Sequence, residues 1–415
     1  MTEHPQHAPQ TPWLTLIGIG EDGVEGLSPV ARSILTQAGF VVGGARHLEL
    51  AAPLLVQGET FTWPTPFERG IEAILARKGT PTVVLASGNP FFFGVGNTLA
   101  RSIPPQEMLC LPAPSSVALA CSRLGWAEQN CRVISLCGRP IEQLYPALQP
   151  SGRVIVLSAD ENTPHVLASW LVSKGLGATR CHILERLGGP HEAVHSFYAY
   201  EGAPSKIQRL NLIGLEVDAQ STSHTLPLSN GLPDTCFEHD GQLTKREIRA
   251  VTLSSLAPRA GELLWDIGGG AGSISIEWML ASSTCRAVCI EAQPERVARI
   301  ARNAAALGVP GLDIRQARAP QGMEDLPKPD AIFIGGGASR AGVLETAWHA
   351  LKPGGRIVVN AVVAETEARL LRARQEWGGT LTRISVSRLE KIGSLHGFRP
   401  AMPVTQWVAQ KPDAS

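Results

Sequence analysis

The sequence lacks the features that mark several large classes of protein. Lys+Arg and Asp+Glu each total 37 of the 415 residues, so the net charge is zero and no basic excess favours a phosphate backbone. No apolar run approaches the roughly 18 residues of a membrane span. The polar segment 1–12 has no positive patch leading into an apolar core, as a targeting peptide would. We therefore expect a cytoplasmic protein with neither nucleic acid nor membrane as a partner.

Metal-binding and disulfide patterns are also missing. The eight cysteines are scattered, with no Cys-x-x-Cys pair and no Cys/His spacing of a zinc site. Reduced, mostly buried thiols are the natural interpretation. His191 and His195 lie near Glu185 and Glu192 in the sequence, but histidines bonded in a loop or at a strand edge explain this spacing better. We expect no metal.

The length and patterning predict two α/β domains. With 44% hydrophobic and 18% charged residues, the chain has a globular composition, and its length exceeds one ordinary domain. Segment 218–241 is polar and rich in turn residues, whereas both flanks alternate strand-like and helix-like segments. We predict domains over 12–217 and 236–412, joined by a linker over 218–235.

The pattern of apolar residues predicts the individual elements. Before the linker, the predicted strands are 14–19, 82–86, 108–111, 132–136, 153–157, 182–185, 197–200 and 211–217. The predicted helices there are 29–38, 67–77, 115–124 and 164–173. After the linker, the predicted strands end at residues 266, 290, 316, 334 and 360, and the predicted helices are 244–256, 294–307 and 341–351, with a further helix from 273.

A glycine-rich turn is the most informative motif. Asp266-Ile-Gly-Gly-Gly-Ala-Gly272 follows an apolar run and precedes a helix, so bare backbone amides there can approach a ligand closely. The next strand ends at Glu291, whose carboxylate can accept both hydroxyls of a ribose. The predicted cofactor residues of this half are Asp266, Gly268, Gly270, Gly272 and Glu291. The alternative is a tightly packed turn without a ligand.

The glycine motif resembles motif I of the class I methyltransferases, which bind S-adenosylmethionine (SAM). Leu351-Lys-Pro-Gly-Gly355 is similar to another segment common in that fold, although proline and glycine are also common at the end of any helix. This half also resembles the CbiT family of decarboxylating precorrin methyltransferases. Three segments carry the resemblance: the glycine motif, Gly241-Gln-Leu-Thr-Lys-Arg-Glu-Ile-Arg-Ala250 and Asp330-Ala-Ile-Phe-Ile-Gly-Gly-Gly337. Ala271, where the family has Thr, and Arg318, where it has an acidic residue near the adenine, depart from that pattern.

This resemblance implies a substrate edged with carboxylates, which a basic rim would neutralise. The predicted substrate-binding residues are Thr244, Lys245, Arg249, Gly336 and Gly337. Two alternatives stay open: the charged residues of 245–249 form the solvated face of a helix with i,i+4 pairs, and the glycines form a tight loop without a ligand.

The N-terminal half carries a second set of motifs. Leu14-Thr-Leu-Ile-Gly-Ile-Gly20, Ser87-Gly-Asn-Pro90, Pro112-Ala-Pro-Ser-Ser-Val117 and Cys137-Gly-Arg-Pro140 occur in this order. They resemble the CbiE branch of the tetrapyrrole methylases, in which SAM is held largely by backbone between two α/β lobes. The implied cofactor residues are Gly18, Gly20, Gly88, Asn89, Pro90, Ser115 and Ser116. Singly, each motif also fits an ordinary turn or helix cap.

The two resemblances together cover nearly the whole chain, in the order of the fused CobL-type family. They imply an α/β protein with a two-lobed tetrapyrrole methylase fold followed by a Rossmann-like, doubly wound class I domain. The implied chemistry is methylation of two meso carbons of a precorrin-6Y-type tetrapyrrole, with decarboxylation of its ring C acetate and one SAM site in each domain. We expect a homo-oligomer and name no catalytic residue, with Glu247 or a water as possible proton donors. The alternatives are an RNA methyltransferase and a SAM-binding regulatory protein with one inactive half.

Overall fold

The computed structural model describes residues 12–413 in two compact units. The N-terminal unit comprises residues 12–139 and 149–224. The C-terminal unit comprises residues 225–413 together with the short segment 140–148. The division at 224/225 lies inside the segment that we interpret as a linker. The expectation that segment 1–12 is not a targeting peptide concerns residues that lie almost wholly outside the described part of the chain.

The N-terminal unit contains two five-stranded sheets. Their strands are β1 (Leu14–Ile19), β2 (Phe40–Gly43), β3 (Glu59–Thr62), β4 (Thr82–Ser87), β5 (Met108–Leu111), β6 (Cys131–Ser135), β7 (Arg153–Leu157), β8 (Arg180–Glu185), β9 (Ala193–Tyr198) and β10 (Asn211–Glu216). The first sheet has the order β3-β2-β4-β1-β5 and its strands pair in parallel. The second has the order β6-β7-β10-β8-β9, with antiparallel pairs except between β6 and β7.

Continuous apolar runs explain the parallel sheet. Every residue of β1 is buried, as is every residue of β4 except the last, Ser87. Strands of this kind are covered on both faces, so they show no alternation of polar and apolar residues. The helices are α1 (Pro29–Gln37), α2 (Ala45–Ala51), α3 (Glu68–Leu75), α4 (Gly96–Leu99), α5 (Ser116–Leu124) and α6 (Thr163–Ser173).

The C-terminal unit is built on a seven-stranded sheet of order β13-β12-β11-β14-β15-β19-β16. Its strands are β11 (Leu263–Ile267), β12 (Arg286–Glu291), β13 (Asp313–Gln316), β14 (Ala331–Ile334), β15 (Arg356–Ala361), β16 (Thr380–Ile384) and β19 (Val404–Gln410), with a separate hairpin of β17 (Ser387–Ile392) and β18 (Leu395–Pro400). Strands β11 to β15 are parallel, and β19 runs antiparallel to both of its neighbours. The helices are α7 (Arg246–Leu256), α8 (Ser273–Ala281), α9 (Pro294–Ala306), α10 (Val343–Ala350) and α11 (Ala364–Trp377).

This topology confirms the predicted α/β class and the doubly wound C-terminal sheet, whose order reverses at β11 and β14. Two buried clusters, one containing Leu264 and Phe333 and the other Trp265 and Ile332, fill the unit. The strand predicted over 197–200 is wrong in its bounds, because β9 spans Ala193–Tyr198.

The end of the predicted linker packs into the C-terminal core. Leu226, Leu232 and Phe237 are almost completely buried in the same cluster as α7 and α8. Three apolar side chains removed from water favour a fixed conformation over a free tether. The boundaries 12–217, 218–235 and 236–412 stay predictions.

Candidate functional site

The C-terminal unit holds a cavity of about 620 Å³ at the carboxyl ends of its parallel strands. Residues at the ends of β11, β12, β14 and β15 line it, together with the start of α7 and the approach to β19. Ligands of doubly wound sheets bind at such a strand-order reversal, and the volume is in the range of small-molecule sites.

The glycine turn forms one wall through backbone alone. Gly268 and Gly270 line the cavity with φ of 77° and 59°. A Cβ on Gly268 would lie 2.9 Å from the backbone nitrogen of Gly336, and one on Gly270 would lie 3.0 Å from the carbonyl oxygen of Gln242. Both positions therefore require glycine for conformation and for space.

Glu291 connects this turn to the next helix. Its carboxylate is almost completely buried and lines the cavity. Oε2 accepts a hydrogen bond from the amide of Gly270 at 3.0 Å, and Oε1 accepts one from the amide of Gln293 at 2.9 Å. Each carboxylate oxygen can accept more than one hydrogen bond, so acceptor capacity for a pair of ligand hydroxyls is left.

Asp266 requires a correction, because the structure does not place it on the cavity wall. The side chain is buried, and Oδ2 accepts hydrogen bonds from the backbone amide and hydroxyl of Ser275 at 3.1 and 2.6 Å. Burial raises the pKa of Asp266 to about 6. Asp266 therefore holds the first turn of α8 against β11, which fixes the glycine turn rather than contacting a ligand.

Gly272 also lies outside the cavity lining. It precedes α8 with φ of 76°, and a Cβ there would lie 2.7 Å from Cγ2 of Ile300. Gly272 therefore allows α9 to pack closely against the turn. The prediction that it contacts the cofactor is replaced by this packing role.

Arg249, which was predicted as part of a basic rim, does not line the cavity. Arg249 is completely buried, with Nε donating to Oε1 of Glu277 at 2.5 Å and Nη1 lying 3.1 Å from Oδ1 of Asp234. It also donates to the carbonyls of Thr244 and Leu232. Arg249 thus joins α7, α8 and the segment before α7, so neither the rim nor the solvated-face interpretation applies to this residue.

Other cations supply the rim. Lys245, Arg318 and Arg340 line the cavity, and within residues 12–413 none of their side chains has an ion-pair or hydrogen-bond partner. Thr244, Gly336 and Gly337 line it too, and a Cβ on Gly337 would meet no atom within 4 Å. Sequence reasoning missed Arg340, which lies three residues after the motif ending at Gly337, and treated Arg318 only as a departure from the family pattern.

Two further cations line the cavity as members of ion pairs. Arg388 of the β17–β18 hairpin pairs with Glu247, and Arg296 lies 2.9 Å from Asp240. A hydrogen bond from its own backbone amide, with the charge of Arg388, lowers the pKa of Glu247 despite partial burial. Glu247 is therefore ionised at neutral pH and does not serve as a proton donor in this state. The lining holds five cations against the two carboxylates Glu247 and Glu291.

The N-terminal motifs meet at the carboxyl edge of the first sheet. A Cβ on Gly18 would lie 1.8 Å from the carbonyl oxygen of Gly88, and that oxygen accepts a hydrogen bond from Ala113 at 3.0 Å. Gly88 has φ of 53°, and a Cβ there would lie 2.8 Å from the carbonyl oxygen of Pro114. The ends of β1 and β4 and the loop before α5 are therefore in backbone contact.

Two of the predicted N-terminal side chains also have local structural roles. Oδ1 of Asn89 accepts from the amide of Phe91 at 3.0 Å, and Oγ of Ser115 accepts from the amide of Ala118 at 3.0 Å. Pro90 is buried directly after Asn89, whereas Ser116 is exposed in the first turn of α5. A Cβ on Gly20 would lie 2.6 Å from Oδ1 of Asp22. These roles occupy side chains and leave backbone groups for a ligand.

A charged cluster that sequence reasoning missed lies at this same edge. Glu21 follows β1, Arg46 and His47 follow β2, Ser87 ends β4, and Arg186 follows β8. Glu21 is buried and pairs with Arg46 and, at 2.9 Å, with Arg186. Burial raises the pKa of Glu21, but hydrogen bonds from Arg186 and Arg46 outweigh burial and hold it below its ordinary value. The only sequence signal was the placing of charged residues directly after strand ends.

The remaining chemistry-bearing side chains give no further centre. Residues 12–413 contain no group of three or more His, Cys, Asp or Glu able to hold a metal ion, and Nε2 of His195 lies 3.6 Å from Glu185. All eight cysteines are free. None of the described helices combines the length and apolar character needed to cross a membrane.

Both halves of the chain match known families. Residues 13–201 match the tetrapyrrole (corrin/porphyrin) methylases, and residues 235–411 match the precorrin methyltransferase domain. The second match covers most of the unit that holds the cavity.

Relatives extend over almost the full length. A decarboxylating precorrin-6Y C(5,15)-methyltransferase of a Sinorhizobium species is 54% identical over 397 residues, which are 96% of this chain and 96% of that protein. One of Mycobacterium tuberculosis is 40% identical over 96% of this chain and 100% of its own. The crystal structure of the C-terminal domain of the enzyme from Rhodobacter capsulatus shares 43% identity, covers 45% of this chain and 100% of its own, and has a TM-score of 0.43. The full-length matches identify the chain as a member of the decarboxylating precorrin-6Y C(5,15)-methyltransferase family.

Proposed function

We infer that this chain is a SAM-dependent C-methyltransferase that methylates two carbons of precorrin-6Y and decarboxylates it, in cobalamin biosynthesis. The single observation that carries this is full-length similarity to enzymes with that activity, at up to 54% identity over 96% of both chains. The cavity beside the glycine turn supports it, because the turn and the rim suit a cationic cofactor and an anionic ring. Neither the RNA methyltransferase nor the regulatory protein gains support from these relatives.

We propose that each unit binds its own SAM. In the C-terminal unit the cavity fits this cofactor: Glu291 retains acceptor capacity for ribose hydroxyls, and Gly268 and Gly270 let a ligand approach the backbone. Asp266 and Gly272 do not line the cavity but fix the glycine turn, Asp266 through its hydrogen bonds to Ser275 and Gly272 through close packing against Ile300. When bound, SAM supplies an electrophilic methyl group. The chain's part is to hold that group in line with a nucleophilic ring carbon.

The N-terminal site is proposed at the carboxyl edge of the first sheet. Gly18, Gly20, Gly88, Asn89, Pro90, Ser115 and Ser116 are the residues assigned to the cofactor there. The contact between Gly18 and Gly88 leaves no room for side chains, so a ligand at this edge would meet mainly backbone. This matches the backbone recognition that the tetrapyrrole methylase resemblance implies.

The rim of the C-terminal cavity favours a substrate with several carboxylates. Lys245, Arg318 and Arg340 have no carboxylate partner in residues 12–413, so their charges are available to a ligand. Thr244, Gly336 and Gly337 complete this proposed substrate surface. Following the family resemblance, we assign decarboxylation and one methylation to the C-terminal unit and the other methylation to the N-terminal unit.

The environment and assembly of the protein follow as further proposals. We propose a cytoplasmic enzyme with no nucleic-acid partner, since the net charge is zero. A homo-oligomer is also proposed, because Leu389, Ile392, Leu395 and Phe398 of the β17–β18 hairpin are all exposed.

Turnover of a defined substrate tests the proposed function. Purified protein incubated with SAM and precorrin-6Y should yield a tetrapyrrole whose mass reflects two added methyl groups and one lost carbon dioxide. A substrate unchanged in mass would reject the function. A product with only one of the changes would reject the bifunctional assignment.

A further inference from the structure

Proton balance distinguishes the two methylations. Replacing a ring C–H by C–CH₃ with a methyl group from a sulfonium releases a proton. Converting an acetate side chain to a methyl group with loss of carbon dioxide consumes one. A unit that performs both steps has no net proton to discharge, whereas a unit that only methylates must pass one to a base.

The lining of the C-terminal cavity fits a unit that performs both methylation and decarboxylation and therefore releases no net proton. Its lining contains no histidine or cysteine, and both of its carboxylates are engaged: Glu247 with Arg388, and Glu291 with two backbone amides. Both carboxylates of this lining thus have partners in the described residues, and the net reaction assigned to the unit requires no base.

The N-terminal unit offers a base–hydroxyl pair at the edge where its motifs meet. Nε2 of His47 lies 2.8 Å from Oγ of Ser87, and Nη2 of Arg46 lies 3.0 Å from the same oxygen. Ser87 is exposed and immediately precedes Gly88, one of the residues assigned to the cofactor. The hydroxyl therefore lies beside the proposed methyl donor site.

The network fixes the direction of the hydrogen bonds. Arg46 can only donate, and its Nη2 faces both Ser87 Oγ and, at 3.1 Å, Nε2 of His47. Nε2 is thus the unprotonated acceptor, and the Ser87 hydroxyl donates to it. Burial, followed by the charge of Arg46, lowers the pKa of His47 to about 4, so the imidazole is neutral at physiological pH.

We propose that Ser87 is a catalytic residue of the N-terminal methylation and that His47 acts through it as a positioning residue. The carbon–methyl bond forms from a ring π-electron pair while the sulfur–methyl bond breaks and its pair stays on sulfur. The C–H bond at that carbon then breaks, its pair returns to the ring, and the proton passes to Ser87 Oγ as the hydroxyl proton passes to His47 Nε2. The methylated ring carbon is part of a cation at that stage, so its C–H is acidic and a weak base suffices. The carboxylate of Glu21 raises the pKa of His47 and so partly opposes the effect of Arg46 on that added charge.

This inference rests on the proposed function, and full-chain variants test the two separately. Wild-type protein that binds a single SAM equivalent would reject the two-site function itself. If two equivalents bind, Ser87→Ala and His47→Ala should each lower kcat of the N-terminal methylation by ~10²–10⁴, leaving KM and both SAM equivalents unchanged. The decarboxylating methylation should keep its rate.

Rescue separates proton transfer from structural support. Added imidazole should restore turnover to His47→Ala, and Ser87→Thr should retain activity because it keeps the hydroxyl. Ser33→Ala and His165→Asn, which lie outside the cluster, serve as matched controls with wild-type rates. An unchanged kcat in Ser87→Ala would overturn the proposal. Loss of a SAM equivalent in both variants, without rescue by imidazole or threonine, would also overturn it and leave the cluster a structural role.

Discussion

At the scale of single residues, Glu291 has the clearest role at the C-terminal cavity. It is the one carboxylate there whose oxygens receive two backbone amides and that has no cationic partner in the described residues. A hydrogen bond to a charged group contributes about 1.5–3 kcal/mol, which corresponds to roughly a 10- to 150-fold change in affinity.

We therefore predict that Glu291→Gln weakens SAM binding to the C-terminal site by roughly 10- to 100-fold. Isothermal calorimetry on the full chain measures this as one weakened and one unchanged equivalent. Glu295→Gln, an exposed residue in the first turn of α9, is the matched control. Equal affinities of wild type and Glu291→Gln would remove Glu291 from the site.

Asp266 leads to a prediction about the pH dependence of stability. Its pKa is raised from 3.8 to about 6 by burial, so the folded state holds the proton more tightly than the unfolded state. The stabilisation from this group is then fully present below pH 4 and is lost as the pH rises through about 6. The shift corresponds to about 3 kcal/mol in the free energy of unfolding.

Asp266→Asn should remove that dependence. Urea unfolding between pH 4 and 7 should show a smaller decline of the free energy of unfolding with rising pH in the variant than in the wild type. Asp313→Asn, a surface residue of β13, controls for the loss of a carboxylate elsewhere. Parallel curves for wild type and Asp266→Asn would contradict the shifted pKa.

Residue roles were the part of the site that the sequence predicted least well. Arg249 in α7 and Lys245 at its N-cap are both basic and precede the glycine motif, yet Arg249 is completely buried and Lys245 lines the cavity. A signal existed in Glu277, a lone charge in the apolar helix α8 that required a buried partner. Asn303 of α9 is likewise buried, and its side-chain amide donates to the carbonyls of Ala271 and Glu238. Spacing alone cannot reveal such long-range pairs.

At the scale of elements, the parallel strands were predictable because they are continuous apolar runs that end in turn motifs. β1 and β4 match their predicted ranges to within a residue, and β14 ends at the predicted residue 334. Sequence reasoning missed short elements such as β2 and β3 and exposed ones such as β17 and β18. It also missed the long helix α11 and the buried strand β19. The short helix α2, which follows β2, carries Arg46 and His47, so missing this element also meant missing the charged cluster.

The glycine turn between β11 and α8 allows a matched test at this scale. Gly268 and Gly261 both have positive φ, 77° and 83°, but a Cβ would meet backbone atoms only at Gly268. Gly268→Ala should therefore abolish the C-terminal SAM equivalent in calorimetry, whereas Gly261→Ala should cost only the conformational strain of about 1 kcal/mol in stability. Retained binding in Gly268→Ala would show that the close approach to Gly336 is not required.

At the scale of the whole molecule, charge is balanced overall but concentrated locally. The chain has 37 residues of each sign, yet the cavity lining carries five cations and two carboxylates. A cluster of one sign attracts an oppositely charged ligand and is screened by salt. This contrast explains how a neutral protein can favour an anionic substrate.

The prediction is that KM for the tetrapyrrole rises with ionic strength and that Arg340→Glu raises it at least about tenfold while flattening the salt dependence. Steady-state kinetics in increasing NaCl measures both effects. Arg372→Glu, an exposed residue of α11 outside the cavity, is the charge-matched control. A KM insensitive to salt and to Arg340→Glu would exclude the rim from substrate binding.

We propose that one chain carries two separate SAM sites, one in each unit. Calorimetric titration of the full-length protein with S-adenosylhomocysteine, the demethylated product of SAM, measures their number. We expect two equivalents per chain in the wild type, with Glu291→Gln weakening only one of them. A wild-type stoichiometry of one, or a Glu291→Gln variant that loses both equivalents together, would contradict it.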